Sequence, residues 1–222
     1  RLTNVATRGF SGTGENVLIV GFAITGPTSK TVLLRGIGPG LVPFGVTGTL
    51  TNPKLTLFDA SGAKLAENDD WGGGTALVNA FTQAGAFTLP GTGLDSAMLR
   101  TLSHGLYTVQ LSDVGGGTGV GLIEIYESDL QPSRVVNLSS RVVVGTGAAV
   151  AIPGIVIAGT VSKKLLIRGI GPTLATFGVQ GPLPNPVLTV IGASGVTVAS
   201  NDDWGSANNP ADYTASAVSI VI

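Results

Sequence analysis

The chain has 222 residues, of which only 11% are charged, and 12 basic against 13 acidic residues give a formal net charge of −1. Because Lys and Arg form no excess and no run, the phosphate-neutralising surface that nucleic-acid binding needs is absent. No apolar run reaches the length of about eighteen residues that a transmembrane helix needs. The absence of cysteine excludes disulfides, thiolate catalysis and cysteine-ligated metals.

The low charge implies an unusually uncharged surface. Gly accounts for 34 residues, and the mean hydropathy is +0.44, which is high for a soluble monomer. Neighbouring subunits that cover such a surface would make it acceptable in water. The composition therefore predicts self-association into a polymer or array.

The chain contains an internal repeat. Residues 1–71 and 134–204 align without a gap at a constant offset of 133 positions. Roughly half of the aligned positions are identical. Active sites are seldom built twice in one short chain, whereas architectural and binding modules often are. The repeat therefore predicts two modules, residues 1–129 and 134–222, joined by a short proline-containing linker at 130–133.

Short apolar runs rich in Val, Ile, Leu and Thr recur between glycine, proline, Asn and Asp turns, which is the pattern of an all-β sandwich. One segment, Ala76–Gln83, has the composition of a short helix. The predicted strands of copy one are Thr3–Arg8, Asn16–Ile24, Lys30–Ile37, Lys54–Asp59, Lys64–Asn68, Ser96–Leu102, Leu106–Ser112 and Val120–Glu127. Those of copy two are Val135–Arg141, Ala149–Ile157, Lys163–Ile170, Val187–Ile191 and Val196–Ser200.

The second copy is shorter than the first. After Trp204 the ungapped alignment is lost, and Ser216–Ile222 best matches Ser96–Leu102. On this alignment copy two has no counterpart of the Leu106–Glu127 hairpin. The fold class predicted is two tandem antiparallel, jelly-roll-like β-sandwiches, the second incomplete, with Val218, Ile220 and Ile222 beside an open assembly edge. Either the sequence was cut at this point, or a neighbouring chain completes this edge.

The order of these motifs resembles a β-sandwich repeat of large secreted bacterial surface proteins. Its second half is similar to the bacterial pre-peptidase C-terminal domain, whose strand–turn–strand motif and later G-x-Y-x-V strand are matched by Leu57–Asp70 and Gly105–Val109. The resemblance implies an extracellular or cell-surface setting and an accessory role in which some members bind calcium or polymers. Copy two departs from this pattern because it has no G-x-Y-x-V strand.

The Asn-Asp-Asp-Trp motif occurs in both copies. Its oxygen-bearing side chains are candidate calcium ligands, although the spacing is not that of an EF-hand, and the alternative is an Asx turn that satisfies local N–H groups. The tryptophan of each motif is a candidate sugar-stacking platform if its ring is exposed, or a core cap if it is buried. The residues concerned are Asn68, Asp69, Asp70 and Trp71 in copy one and Asn201, Asp202, Asp203 and Trp204 in copy two.

Arg35 and Arg168 interrupt apolar strands at equivalent positions. A half-buried arginine needs an anionic partner, so we expect a structural ion pair, with the repeated aspartates as the natural partners, in preference to a ligand site. The following Gly36–Gly40 segment has the wrong glycine spacing for a phosphate loop, and it is predicted to be a turn or bulge with no helix after it.

No catalytic constellation is apparent, because the sole histidine, His104, has no nucleophile or second titrating group beside it. We therefore expect a non-enzymatic extracellular structural protein, a subunit of a bacterial cell-surface filament, sheath or adhesive array. The alternative is an accessory calcium- or polysaccharide-binding module of a larger secreted enzyme or adhesin. A filament subunit polymerises alone, whereas an accessory module stays monomeric and binds a polymer.

Overall fold

The structure is a computed structural model that describes residues 2–202 and the backbone of residues 218–221. The strands in this part of the chain are β1 (Leu2–Ser11), β2 (Leu18–Thr25), β3 (Lys30–Ile37), β4 (Pro53–Asp59), β5 (Lys64–Asn68), β6 (Ser96–Leu102), β7 (Gly105–Asp113), β8 (Gly119–Glu127), β9 (Arg134–Arg141), β10 (Ile152–Ile157), β11 (Lys164–Ile167), β12 (Leu188–Ile191), β13 (Thr197–Asn201) and β14 (Val218–Val221). The helix α1 spans Thr75–Ala84.

Two antiparallel five-stranded sheets form a β-sandwich, which confirms the predicted all-β class. Sheet A has the strand order β10-β1-β8-β3-β6, and sheet B has the order β5-β4-β7-β2-β9. Strands β7 and β8 follow each other in the chain but lie in different sheets, each as the central strand, so the predicted Leu106–Glu127 hairpin is instead a connection from one sheet to the other. Every neighbouring pair in the two sheets is antiparallel.

The main core lies between the two sheets. Alternate residues of each strand point inward, as the period of two along a strand requires. Leu55 and Leu57 of β4 face Val109 and Leu111 of β7, and all four are fully buried. Tyr107, at the next inward position, is half-buried and stacks on Phe22 with ring centroids 5.5 Å apart.

A second apolar cluster lies beneath α1. Phe81 of the helix contacts Trp71, and both join Leu33 and Ile37 of β3 in this cluster. The helix ends at Gly85, whose φ of 65° is a left-handed conformation that glycine adopts without a Cβ penalty. The helix thus covers the outer face of sheet A, which explains the helical composition of this segment.

The compact units of the chain do not coincide with the sequence repeats. Residues Leu2–Ala158 form one unit, which includes β9 and β10 from the start of copy two, and residues Gly159–Ile222 form the other. In the second unit, β11 pairs with β14 and β12 pairs with β13, each pair antiparallel.

The predicted turn after β3 is a short 3-10 helix, Pro39–Phe44, and Pro172–Phe177 repeats it in copy two. The expectation that no helix follows the glycines was therefore wrong. Proline at the first helical position presets φ for such a turn. A Cβ atom on Gly38 or Gly171 would collide with the carbonyl oxygen of Leu50 or Leu183, so both copies need glycine there.

None of the helices in the described part of the chain has the length and apolar character that a membrane span requires.

Candidate assembly interface

The two repeats meet through shared strands. Strand β9 pairs with β2 at the edge of sheet B, and β10 pairs with β1 at the edge of sheet A. By the sequence repeat, β9 is the counterpart of β1 and β10 is the counterpart of β2. The first strand of each repeat therefore pairs with the second strand of the other repeat.

The registers of these two pairings are related by a pseudo-twofold axis. Arg8 lies opposite Ile152, and their counterparts Arg141 and Ile19 also lie opposite each other. Both pairings carry a register shift at the same repeat position, Thr3 in one copy and Val136 in the other. The contact between the repeats is thus isologous, meaning that the same surface is used on both sides.

Equivalent residues meet at the axis itself. Phe10 forms an isolated antiparallel bridge with its own counterpart, Val143. Beside it, a Cβ atom on Gly9 would collide with the side chain of its counterpart, Val142. Gly9 of copy one has no side chain, and Val142 of copy two fills the space beside it. The axis therefore accommodates one branched side chain and not two.

The linker is held against copy one. Ser133 is fully buried, and its hydroxyl accepts a hydrogen bond from the Thr28 amide (3.0 Å) and donates one to the Thr28 carbonyl (2.5 Å). Lys30, also fully buried, donates from Nζ to the carbonyls of Asp129 and Gln131, at 2.9 and 3.2 Å, and pairs with the Asp129 carboxylate at 2.8 Å. These bonds set the point at which β9 enters sheet B.

The Asn-Asp-Asp-Trp motif of copy one joins the two sheets at the opposite edge. Asn68, the last residue of β5, accepts a hydrogen bond from the Ala97 amide of β6 through Oδ1 (2.8 Å) and donates from Nδ2 to the Asp70 carbonyl (2.9 Å). The Trp71 amide then donates to the Asp95 carbonyl (3.0 Å). The motif therefore links the edge strand of sheet B to the edge strand of sheet A.

Trp71 lies in the core cluster beneath α1. Its side chain is 6% exposed, its Nε1 donates to the Pro90 carbonyl (2.8 Å), and its ring contacts Phe81 at 5.1 Å between centroids. A ring this deeply buried has no free face on which a sugar could stack. Trp204 lies outside the described residues.

The candidate calcium ligands of copy one are only partly available. The Oδ1 atom of Asn68 already accepts the Ala97 hydrogen bond, whereas Asp69 and Asp70 are exposed. In copy two, Asn201 ends β13 and Asp202 follows it, and Asp203 lies outside the described residues. Within the part of the chain that the structure describes, no three His, Cys, Asp or Glu side chains are grouped as a metal site would need.

Arg35 forms a buried ion pair, but its partner is Glu124 of β8 and not an aspartate of the motif. Nε of the fully buried Arg35 lies 3.4 Å from Glu124 Oε2, and the guanidinium lies between the rings of Phe81 and Phe87, 4.6 and 4.4 Å from their centroids. The expected aspartates lie in the exposed turn after β5. Because Arg35 and Glu124 are opposite each other on β3 and β8, the strand register selects this partner.

Burial perturbs the titration of this cluster. Burial raises the pKa of Glu124, against the opposing effects of Arg35 and of a hydrogen bond from the Tyr126 hydroxyl (2.9 Å). Burial also raises the pKa of Asp95, although the amides of Gly38 and Gly40 donate to its carboxylate. The same desolvation lowers the pKa of Arg35, an effect that Glu124 opposes.

Arg168, the counterpart of Arg35, is exposed, and no salt bridge to it occurs among the described residues. The partner expected for Arg168 is therefore not found beside it among the described residues, and the ion pair of copy two stays a prediction. Copy one obtains its carboxylate from Glu124 of β8.

The backbone of β14 lies where the sequence alignment places it. Val218 pairs with Ile167, just as Met98 pairs with Leu34 in copy one, so the two strands have the same register. The side chains of Val218 and Ile220, and the whole of Ile222, lie outside the described residues. The structure therefore locates this strand without describing the surface predicted for its side chains.

Sequence reasoning missed the buried charged residues of copy one: Lys30, Asp95, Asp113 and Glu124. A single acidic residue within the apolar run of β8 was the available signal for Glu124, because it interrupts that run as Arg35 interrupts β3. For Lys30 and Asp113, which begin and end strands, the sequence carried no signal that separates them from ordinary exposed charges.

Comparison with protein-family models, with curated proteins and with solved structures found no match to this chain. The resemblance to the pre-peptidase C-terminal domain thus stays a prediction.

Proposed function

We propose that this chain is a non-enzymatic extracellular structural protein, a subunit of a bacterial cell-surface filament, sheath or adhesive array assembled by β-sandwich contacts. The observation that carries the proposal is the pairing of β1 with β10 and of β2 with β9. Main-chain hydrogen bonds, and not side-chain contacts alone, join the repeats. Such strand addition satisfies backbone groups and buries apolar side chains together.

The composition supports the same role. A surface with few charges is weakly repelled by copies of itself, which favours association. The isologous contact makes the paired repeats, and not the single repeat, the building block of the array. Growth would then use other edges, among them that of β5, where Leu65 is exposed.

The proposal is tested on the purified chain by sedimentation velocity and negative-stain microscopy across a wide concentration range. We expect regular assemblies whose mass grows with concentration. A compact monomer at every concentration, unaffected by any added polymer, would contradict the proposed role. A monomer that binds polysaccharide would support the accessory binding module instead.

The variant Gly9→Val and its control Gly154→Ala test whether assembly depends on the strand pairing between the repeats. Position 9 has no room for a side chain beside Val142, whereas a Cβ atom on Gly154 would lie 4.0 Å from the Cβ of Ala6, an ordinary contact. We expect Gly9→Val to reduce ordered assembly and Gly154→Ala to leave it intact. Equal assembly by both variants would show that the repeat contact has no part in it.

A further inference from the structure

A buried lysine faces two carboxylates at the end of the main core. Lys30, the first residue of β3, has a fully buried side chain, and its Nζ lies 2.8 Å from Asp129 Oδ1 and 3.5 Å from Glu127 Oε2. The Glu127 side chain is 1% exposed and the Asp129 side chain 22%. One carboxylate is enough to balance one ammonium, so charge compensation alone does not explain the second carboxylate.

The strand register brings these three side chains together. Val32 lies opposite Glu127 in the β3–β8 pairing, and continuing this pairing by two residues places Lys30 opposite Asp129. A backbone hydrogen bond of 2.9 Å extends the ladder between these positions. Residues that are directly opposite on antiparallel strands share a face of the sheet. Because Val32 belongs to the cluster between the sheets, the lysine and both carboxylates lie on the inner face of sheet A.

The Asp129 carboxyl group is held between two backbone N–H donors. The Thr31 amide donates to Oδ2 (2.5 Å) and the Gln131 amide donates to Oδ1 (3.0 Å). Burial acts to raise the pKa of Asp129, but the hydrogen bonds from Lys30, Thr31 and Gln131 outweigh it, so the net pKa is lowered and the resting pair is ionic. Donors aimed at both oxygens also stabilise the negative charge that develops when a nucleophile adds to the carboxyl carbon.

Glu127 is placed to carry a proton. Its Oε1 accepts a hydrogen bond from the Val135 amide (2.8 Å), which fixes the carboxylate while Oε2 faces Lys30 Nζ. A carboxylate in this position can accept a proton from an attacking amine and donate it to the group that leaves. The three side chains together therefore supply a nucleophile, an acceptor carbon and an acid–base group.

We infer that Lys30 and Asp129 condense to form an intramolecular amide, with Glu127 as the proton carrier. A proton first passes from the Lys30 ammonium to the Asp129 carboxylate, and the neutral Nζ then attacks Asp129 Cγ. Glu127 takes a second proton from Nζ and returns it to the departing hydroxyl group, so that a C–N bond forms as the C–OH bond breaks. One water molecule leaves, and no oxidant, reductant or further reactant is consumed.

Proximity and burial favour the amide. Groups held in reacting positions reach effective molarities of about 10⁵–10⁸ M, which offsets the unfavourable equilibrium of amide formation in dilute water. The amide is uncharged, so one ammonium and one carboxylate no longer have to be kept inside the protein.

The amide would close the chain into a loop. Lys30 begins β3 and Asp129 follows β8 by two positions, so residues 31–128 lie within this loop. A pull on the chain ends does not extend residues inside a closed loop, and such a cross-link lowers the entropy of the unfolded chain. The inference goes beyond the proposed assembly role and does not depend on it.

The test measures the intact mass of the denatured full chain after prolonged incubation of the folded protein, followed by proteolysis and mass spectrometry of the peptides. We expect a mass lower than that of the sequence by one water molecule, and a branched peptide that joins Lys30 to Asp129. An unreduced mass overturns the inference. A loss of water without the branched peptide also overturns it, because an aspartate can lose water by forming a cyclic imide.

The chain contains a matched control for this measurement. Lys64 Nζ lies 2.9 Å from Glu67 Oε2, nearly as close as Lys30 lies to Asp129, but these two side chains are 53% and 48% exposed. We expect no amide between them, because solvent stabilises both charges and keeps the amine protonated. Amides at both pairs would show condensation during sample preparation and would overturn the inference.

Three variants separate the roles of the residues. Lys30→Arg keeps the positive charge but removes the amine, and Asp129→Ala removes the carboxyl carbon, so neither chain should lose water. Glu127→Gln retains an oxygen for the Val135 amide but cannot carry a proton, so it should form the amide about a hundredfold more slowly. An unchanged rate in Glu127→Gln would refute the role given to Glu127. Because the natural chain by itself decides whether the amide forms, a variant that fails to fold does not weaken the test.

Discussion

A charged residue buried in an apolar cluster has to be compensated within the protein, and Arg35, on the face of sheet A that α1 covers, shows how this is done. Its guanidinium lies between two phenylalanine rings and against one carboxylate. None of its three nitrogens has a hydrogen-bond acceptor among the described residues. Ring faces and Coulomb attraction therefore replace the hydrogen bonds that water would provide.

We expect Arg35→Met to destabilise the chain by about 3–5 kcal/mol, because it leaves Glu124 buried without its countercharge. The double variant Arg35→Met/Glu124→Gln should recover a large part of that loss, since no uncompensated charge remains. Denaturant unfolding of the three proteins measures both effects. If the double variant were less stable than Arg35→Met alone, the ion pair would not be the source of the effect.

Asp113 has the opposite titration behaviour. Burial acts to raise its pKa, but hydrogen bonds from Asn52, Thr51, Gly115 and Gly117 outweigh it, and the net pKa lies below the ordinary value of 3.8. A carboxylate with a lowered pKa in the folded state stabilises the fold above its ordinary pKa. That stabilisation is lost as the pH falls through the folded-state value.

We expect Asp113→Asn to reduce the free energy of unfolding by about 1–2 kcal/mol at neutral pH, because one amide oxygen replaces two carboxylate oxygens as acceptors. The gap between the variant and the parent should narrow as the pH falls below 3.8. Urea unfolding at neutral pH and in acid checks this, and a gap that stays constant would contradict the assignment.

Among the elements, the first two strands of each repeat (β1 and β2, β9 and β10) show most clearly what a sequence pattern can and cannot predict. Their strand boundaries follow from alternating apolar residues between turn signals, and the structure confirms them to within a few residues. Their partners do not follow from the pattern, because an edge strand with an inward apolar face can pair with any complementary edge. The predicted module boundary at 130–133 therefore follows the repeat, while the compact unit extends to Ala158.

The same distinction applies to the candidate sites. The sequence identified Arg35 as a half-buried residue that needs an anion, but β3 and β8 are far apart along the chain, so only the fold could select Glu124. The repetition also identified the Asn-Asp-Asp-Trp motif in the sequence. The link that this motif makes between two sheet edges depends on Ala97 and Asp95, and no local sequence pattern connects these residues to the motif.

An exchange of side chains across the pseudo-twofold axis tests the geometry of the shared strands. We expect Gly9→Val to cost about 1–3 kcal/mol of stability, because two valines would then compete for one space. The double variant Gly9→Val/Val142→Gly should regain most of it, since the axis makes the two positions equivalent. Thermal unfolding measures the coupling, and additive effects of the two substitutions would argue against the symmetry.

For the whole molecule, the unit Leu2–Ala158 is expected to fold without the remainder of the chain, because both sheets and both apolar clusters lie within it. A chain that stops at Ala158 should unfold cooperatively. A chain that stops at Ser128 should be less stable, and it should dimerise by pairing β1 of one copy with β2 of the other. Thermal unfolding and sedimentation check both expectations, and an unfolded 2–158 fragment would refute the division into units.

The isologous contact between the repeats limits how many repeats can associate through it. A surface that binds its own counterpart is saturated once two copies have met, so repeats joined in this way associate two by two and not one after another. In any polypeptide with more of these repeats, an even number would leave no first and second strands unpaired. An odd number would leave one repeat whose first two strands are free to pair with those of an odd-numbered neighbour. The parity of the repeat count, and not its size, would then decide whether a chain is self-sufficient or adhesive.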